Sequence, residues 1–227
     1  MTWHAKRTGA YYMGSTEADE NAREAMSILM NDYNWTFAAC CGLFGNIDFE
    51  GQWNPWRWQS DTLLNQAQAR NATGTFAMLH GYGLIGWTPA KKYQFNNAET
   101  DGGVRYFPNY DQESYSGYGP NWNDVSGLAT DGAAQIKLIG EAMSRGSGNI
   151  WVRRKNCTAY QFTQLNDPRQ AAYYWLWNAE FPEHVQDQED QRMEHGYAWY
   201  QHLGGSGSGC PIPILFKRAI EYQRGIL

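Results

Sequence analysis

Glu50 lies in the run GLFGNIDFEGQWNPWRWQSD, residues 42–61, where its sequence neighbours include Phe49, Trp53, Trp56 and Trp58. A carboxyl held against aromatic surface is poorly solvated as an anion, so its pKa rises and it keeps its proton near neutral pH. Such a group can act as a general acid, giving a proton to a leaving oxygen, which is what glycoside cleavage requires. A helix C-terminus, where Glu50 is predicted to sit, pushes the same way. The same local sequence also suits a glutamate that simply faces water at a helix end, and position alone leaves both readings open.

A second carboxyl is harder to assign. Asp48 is two residues from Glu50, and on a helix the two would diverge by about 200° around the axis. Asp61, in the following loop, is the better candidate. Glu180 is another, although a structural role at a helix end explains it as simply. His184, His195 and His202 form no HExxH or other metal spacing, and no CxxC occurs, so neither a metal nor a cofactor is expected. Cys40 and Cys41 are adjacent at mid-helix and read as core packing. A cysteine nucleophile paired with His80 is the rival chemistry, but it wants an exposed helix N-terminus.

The elements that must position these groups follow from periodicity. A capping box from Thr16 and Asp19 predicts a helix start, continued by Ala22, Ala25, Met26, Leu29 and Tyr33. Thr36 can cap a second helix with Phe37, Cys40, Cys41, Phe44 and Ile47 on its apolar face, ending near Glu50-Gly51. Gly42 and Gly45 inside it imply close packing against a neighbour. Residues 52–90 read as a small irregular sheet or long loops, and 96–127 as an ordered excursion rich in Gly, Asn and Tyr. Helices are predicted over 130–145, from Asp167-Pro168 up to Pro182, and over 187–202. Residues 1–15 read as an irregular arm. The expected organisation is one domain over 1–203, a Gly/Ser linker at 204–209 and a short tail at 210–227. The fold class is α+β, mainly helical, with two lobes and a central cleft.

Composition narrows the partners. The net charge of −5 builds no basic field for nucleic acid. No apolar run approaches the 18 or so residues of a membrane span, and the first 15 residues lack the apolar centre of a signal peptide. Eleven Trp and fifteen Tyr exceed what one core needs. Flat rings with a polar edge suit grooves that stack on sugars, although about half of the tryptophans are expected in the core.

Several ordered blocks resemble the phage tail lysozyme family. They are Gly42, Leu43, Phe44, Gly45 and Asn46, then Glu50, then Asn54, Pro55, Trp56, Arg57, Trp58 and Gln59. GYGLIGWTPAKKY (81–93) and GYGPNWNDVSG (117–127) are also similar, as are STEADENA near the start and Glu180-Phe181-Pro182 near the end. The similarity covers roughly residues 3–209. It implies a lysozyme-like fold with Glu50 as acid, acting on the β-1,4 bond between N-acetylmuramic acid and N-acetylglucosamine in peptidoglycan. It also implies a virion at whose tail tip, beside other tail proteins, the chain would act on the bacterial wall. On this reading Asp61 is the second catalytic candidate, and Trp53, Trp58, Gln59, His80, Tyr82, Trp87 and Thr88 are candidates to bind sugar. Gly86 departs from the pattern, standing where the family usually has Gln, and Gly51 stands where Ser is common. A non-catalytic glycan-binding or structural tail component is the remaining alternative, as is a wall amidase or endopeptidase.

Overall fold

The computed structural model describes residues 3–6, 9–55, 57, 81, 83–86, 131–144, 150–180, 182 and 184–204. It is mainly helical over these, in the order α1 (Thr16–Tyr33), α2 (Phe37–Ile47), α3 (Asp131–Ser144), α4 (Ala159–Thr163), α5 (Pro168–Trp175) and α6 (Val185–His202). A π-helical turn, Leu176–Glu180, extends α5. No strand occurs among the described residues. Most of 52–90, where a small sheet was expected, and the linker and tail from 205 onward lie outside them, as does the excursion at 96–127.

The helices begin where short polar side chains can satisfy their first amides. Ser15, not Thr16, caps α1 and accepts from the Ala18 amide. The capping box expected from Thr16 and Asp19 is therefore not formed. Asp19 Oδ1 instead accepts from the Gly14 amide, and its Oδ2 pairs with His202. Thr36 caps α2 as its sequence predicts, accepting from Ala39. Asp167 caps α5, with Pro168 at the first helical position. Helix α4 has a full capping box between Thr158 and Gln161.

Helix α2 is the centre of the fold. It packs against α5 and α6, which also pack on each other, while α1 pairs with α3. Ten of its eleven residues are buried, which explains why it is apolar nearly all round. Gly42 and Gly45 make this closeness possible: a Cβ at 42 would collide with Ala171 of α5, and one at 45 with the backbone of Arg192 and Gly196 in α6. On α6 the buried positions are Val185, Glu189, Arg192, Met193, Gly196 and Trp199, a helical stripe that includes two charged residues.

The aromatic residues mostly build this core. Trp3, Trp35, Trp53, Trp151, Trp175 and Trp199 are all buried. Trp151, Phe162 and Trp175 form one ring cluster, and Phe44, Trp53 and Trp199 another. The N-terminal arm is irregular, as expected, and tied down by polar contacts. Asn54 donates to the Lys6 and Gly9 carbonyls, and Asn21 donates to those of His4 and Trp53.

Candidate functional site

Helix α2 ends at Ile47, slightly earlier than its sequence suggests, and the chain continues as tight turns. The Glu50 amide still reaches back to the Asn46 and Ile47 carbonyls at 3.2 Å, so Glu50 is held one turn beyond the helix. Gln52 and Trp53 follow with φ of +48° and +60°, a conformation that costs energy for any L-residue and most for a bulky one. Buried contacts hold it in place: Trp53 Nε1 donates to Asp48 at 3.0 Å, and its carbonyl accepts from Asn21.

The Glu50 carboxylate lies 2.5 Å from Nη2 of Arg192, and its side chain is 24% exposed against 2% for the arginine. Arg192 reaches it from the buried stripe of α6. Its remaining donors go to Asn46 Oδ1 at 3.1 Å and to Gln188, and its guanidinium lies over the Phe49 ring. Asn46 in turn donates to the Gly42 and Ala172 carbonyls, so the pair is braced by α2, α5 and α6 together. The sequence suggested that aromatic rings alone would enclose Glu50. Instead a guanidinium anchors it, because α6 delivers one buried charge to the end of α2.

The turn at 83–86 closes the other flank. The Gly51 amide donates to the Leu84 carbonyl at 2.9 Å, and the Leu84 amide to Gln135 Oε1 at 2.7 Å. Gln135 also donates to the Pro55 carbonyl, linking the turn, α3 and the Asn54-Pro55 corner. Gly86 has φ +57°, and a Cβ there would stand 2.9 Å from Glu50 Oε2. The departure noted in the sequence therefore falls directly beside the carboxylate.

A second carboxyl belongs to this site. Glu180, the last residue of the π-helical turn, accepts from Trp175 Nε1 at 2.8 Å. The residue keeps part of its surface open, while its carboxyl sits deep in the protein. Burial, followed by the charge of Glu50, pushes it up to about 8, against the opposing pull of Arg192 and the Trp175 N–H. Two carboxyls thus act on one guanidinium.

Other sequence candidates sit elsewhere. Trp53 has no exposed surface; its ring packs against Phe44 and Trp199, so it is a core residue with no face to offer a glycan. Asp48 is saturated by donors from Trp53, Trp199 and His195. A cavity of about 860 Å³ opens on this side, lined by residues including Tyr12, Asp48, Phe49 and His195 but not by Glu50. Cys40 and Cys41 are fully buried and burial pushes both thiols upward, which removes them as nucleophiles. Asp61, Trp58, Gln59, His80, Tyr82, Trp87 and Thr88 lie outside the described residues. Sequence reasoning missed Arg192. The signal was present in the spacing of Val185, Glu189, Arg192, Gly196 and Trp199, but charged residues within a stripe are ordinarily read as solvated.

A helical core that clamps an acid at the end of its central helix defines a class of domain, and comparison with known proteins gives it a family. The model of the phage tail lysozyme family matches residues 20–203, and the chain belongs to that family. It is also 26% identical over 199 residues to morphogenesis protein 1 of Bacillus phage B103. That alignment covers 87% of this chain but 43% of the relative, so the chain spans less than half of that protein's length. Membership of the family implies a lysozyme-like hydrolase.

Proposed function

We propose that the chain is a peptidoglycan hydrolase that cleaves the β-1,4 bond between N-acetylmuramic acid and N-acetylglucosamine, with Glu50 as its acid. One observation carries the reading: a partly accessible carboxyl, fixed by a buried arginine, at the glutamate that the family resemblance singles out. In the step, Glu50 gives its proton to the leaving sugar oxygen while the glycosidic C–O bond breaks. Water adds to the anomeric carbon, and its released proton returns to the carboxyl. The glycan strand would lie in a cleft alongside the 83–86 turn. Tyr82 and Trp87 adjoin that turn in sequence and, with Trp58, Gln59, His80 and Thr88, are the proposed sugar contacts. Asp61 is the proposed second catalytic group. The proposed setting is the tip of a phage tail, with other tail proteins as partners and the bacterial wall as substrate.

Digestion of purified peptidoglycan tests this. New reducing ends on muramic acid are the expected product; release of amines without reducing ends, or no products, contradicts it. A second reading draws on Gly86: without a side chain beside Glu50 Oε2, the site lacks the amide that the family usually carries there. That reading makes the chain a glycan-binding tail component. It would bind the same peptidoglycan and release nothing.

A further inference from the structure

We propose that Glu180 is the positioning partner of Glu50: the two carboxyls share one proton opposite the guanidinium of Arg192, and Glu180 keeps that proton in the site whenever Glu50 is ionised. The inference rests on the reading of Glu50 as the acid, and it resolves a difficulty in that reading. A carboxylate ion-paired at 2.5 Å has no proton to give. A general acid in that position needs a store from which the proton can come.

The placement of Glu180 provides one. The π-helical turn widens the end of α5 and carries Glu180 to the Glu50–Arg192 pair, and such turns often mark functional sites. Trp175, one turn back, fixes its Oε1 with an indole N–H. The charged groups around it can be named element by element. The turn itself contributes no other titratable side chain, the end of α2 contributes Glu50, and α6 contributes Arg192. Glu189 of α6 accepts from Trp177 Nε1 at 2.7 Å, and Lys155 from the 150–158 stretch stacks over the same ring at 3.9 Å. Those two bracket Trp177 rather than the Glu180 carboxyl.

Arg192 attracts either carboxylate, and two negative charges in one buried site repel. One guanidinium, one carboxylate and one carboxylic acid make the neutral combination, so the pair titrates as a unit. At rest the proton is on Glu180 and the charge on Glu50. The reactive arrangement has the proton on Glu50 and the charge on Glu180, with Arg192 compensating whichever is ionised. After Glu50 protonates the leaving oxygen, the proton released by the attacking water restores the pair.

The test is the pH dependence of reducing-end release from peptidoglycan by wild type, Glu180→Gln and Glu50→Gln. Glutamine keeps the acceptor for Trp175 but cannot hold the proton. Glu50 then pairs with Arg192 without a competitor. The alkaline limb of the Glu180→Gln profile should move down by about one pH unit or more, with activity at pH 7 falling about tenfold and recovering toward acid. A uniform loss at every pH, or an unmoved limb, overturns the proposal. A second measurement needs no stable Glu180 variant. Carbon NMR of carboxyl-labelled glutamates in the wild type should show one group titrating far above the ordinary range, and Glu50→Gln should lower its midpoint. Ordinary titration of every glutamate overturns the proposal. If Glu50→Gln cleaves like wild type, the assignment of Glu50 as acid fails instead, and the NMR titration still decides whether the two carboxyls share a proton.

Discussion

Asp48 and Glu50 stand two residues apart at the end of one helix, and their surroundings differ in kind. Asp48 receives hydrogen bonds from Trp53, Trp199 and His195, at 3.0, 2.9 and 2.8 Å, and its side chain is 9% exposed. Every donor comes from a residue that also builds the core or its edge. Glu50 has one strong partner, a second carboxyl competing for that partner, a backbone turn in place of a side chain at Gly86, and an open edge. The first arrangement is saturated and holds the turn at the end of α2 in its strained shape. The second is under-compensated, with one positive charge for two acids. Saturation stabilises a fold, whereas a site with a proton to move cannot be fully satisfied at rest.

Changing one member at a time can break this contrast. The largest effect is expected for Arg192→Met. It strands the Glu50 carboxylate beside Glu180 and removes the donors to Asn46 and Gln188. Breaking a buried pair of this kind costs about 3 kcal/mol, read as a fall in Tm, and cleavage should be lost with it. A variant that melts like wild type would show that Arg192 is not the brace described. Asp48→Asn comes next. It keeps the shape but offers one neutral acceptor oxygen to three donors, so a loss of about 2 kcal/mol is expected by denaturant titration. The molecules that remain folded should still cleave.

The smallest effect is expected at His195. The hydrogen bond from Asp48 holds the proton on this imidazole and raises its pKa above the usual value, although burial opposes it. Because the folded value is the higher one, the interaction stabilises fully below the unfolded pKa of about 6.5 and fades as pH rises through the folded value. His195→Gln should therefore melt below wild type at pH 5.5, with the gap closing toward pH 9. The gap should stay under about 1 kcal/mol, since 45% of the imidazole is open to solvent and screened. A gap that widens with pH would mean that the pairing has been read with the wrong sign. Glu180 should act in the same direction, because a raised carboxyl pKa also favours the folded state at low pH.

Much of the scaffold was legible in the sequence, because caps and periodicity are local signals. Thr36, Asp167-Pro168, the two glycines of α2 and the stripe of α6 all do what their residue types require. Glu50 was legible through its neighbours and its family blocks, but its environment was not. The tryptophan nearest in the chain, Trp53, turns inward, because two left-handed residues reverse the backbone immediately before the core. The groups that touch Glu50 come instead from residue 192, 142 positions away, and from the turn at 83–86. Glu180 was visible as a carboxyl at a helix end. Nothing local to it could reveal that a π-helical turn would carry it to a distant ion pair. Tertiary proximity set the chemistry, and periodicity carries no information about it.

The central claim is that the acid on the under-compensated side of this turn performs cleavage while the saturated one does not. Its most direct test is the rate of reducing-end release from peptidoglycan per folded molecule, measured side by side for wild type, Glu50→Gln and Asp48→Asn. Glu50→Gln should lose about a hundredfold or more, the contribution of a general acid, while Asp48→Asn stays within about threefold of wild type. Undiminished cleavage by Glu50→Gln, or an equal loss in both variants, would contradict the account.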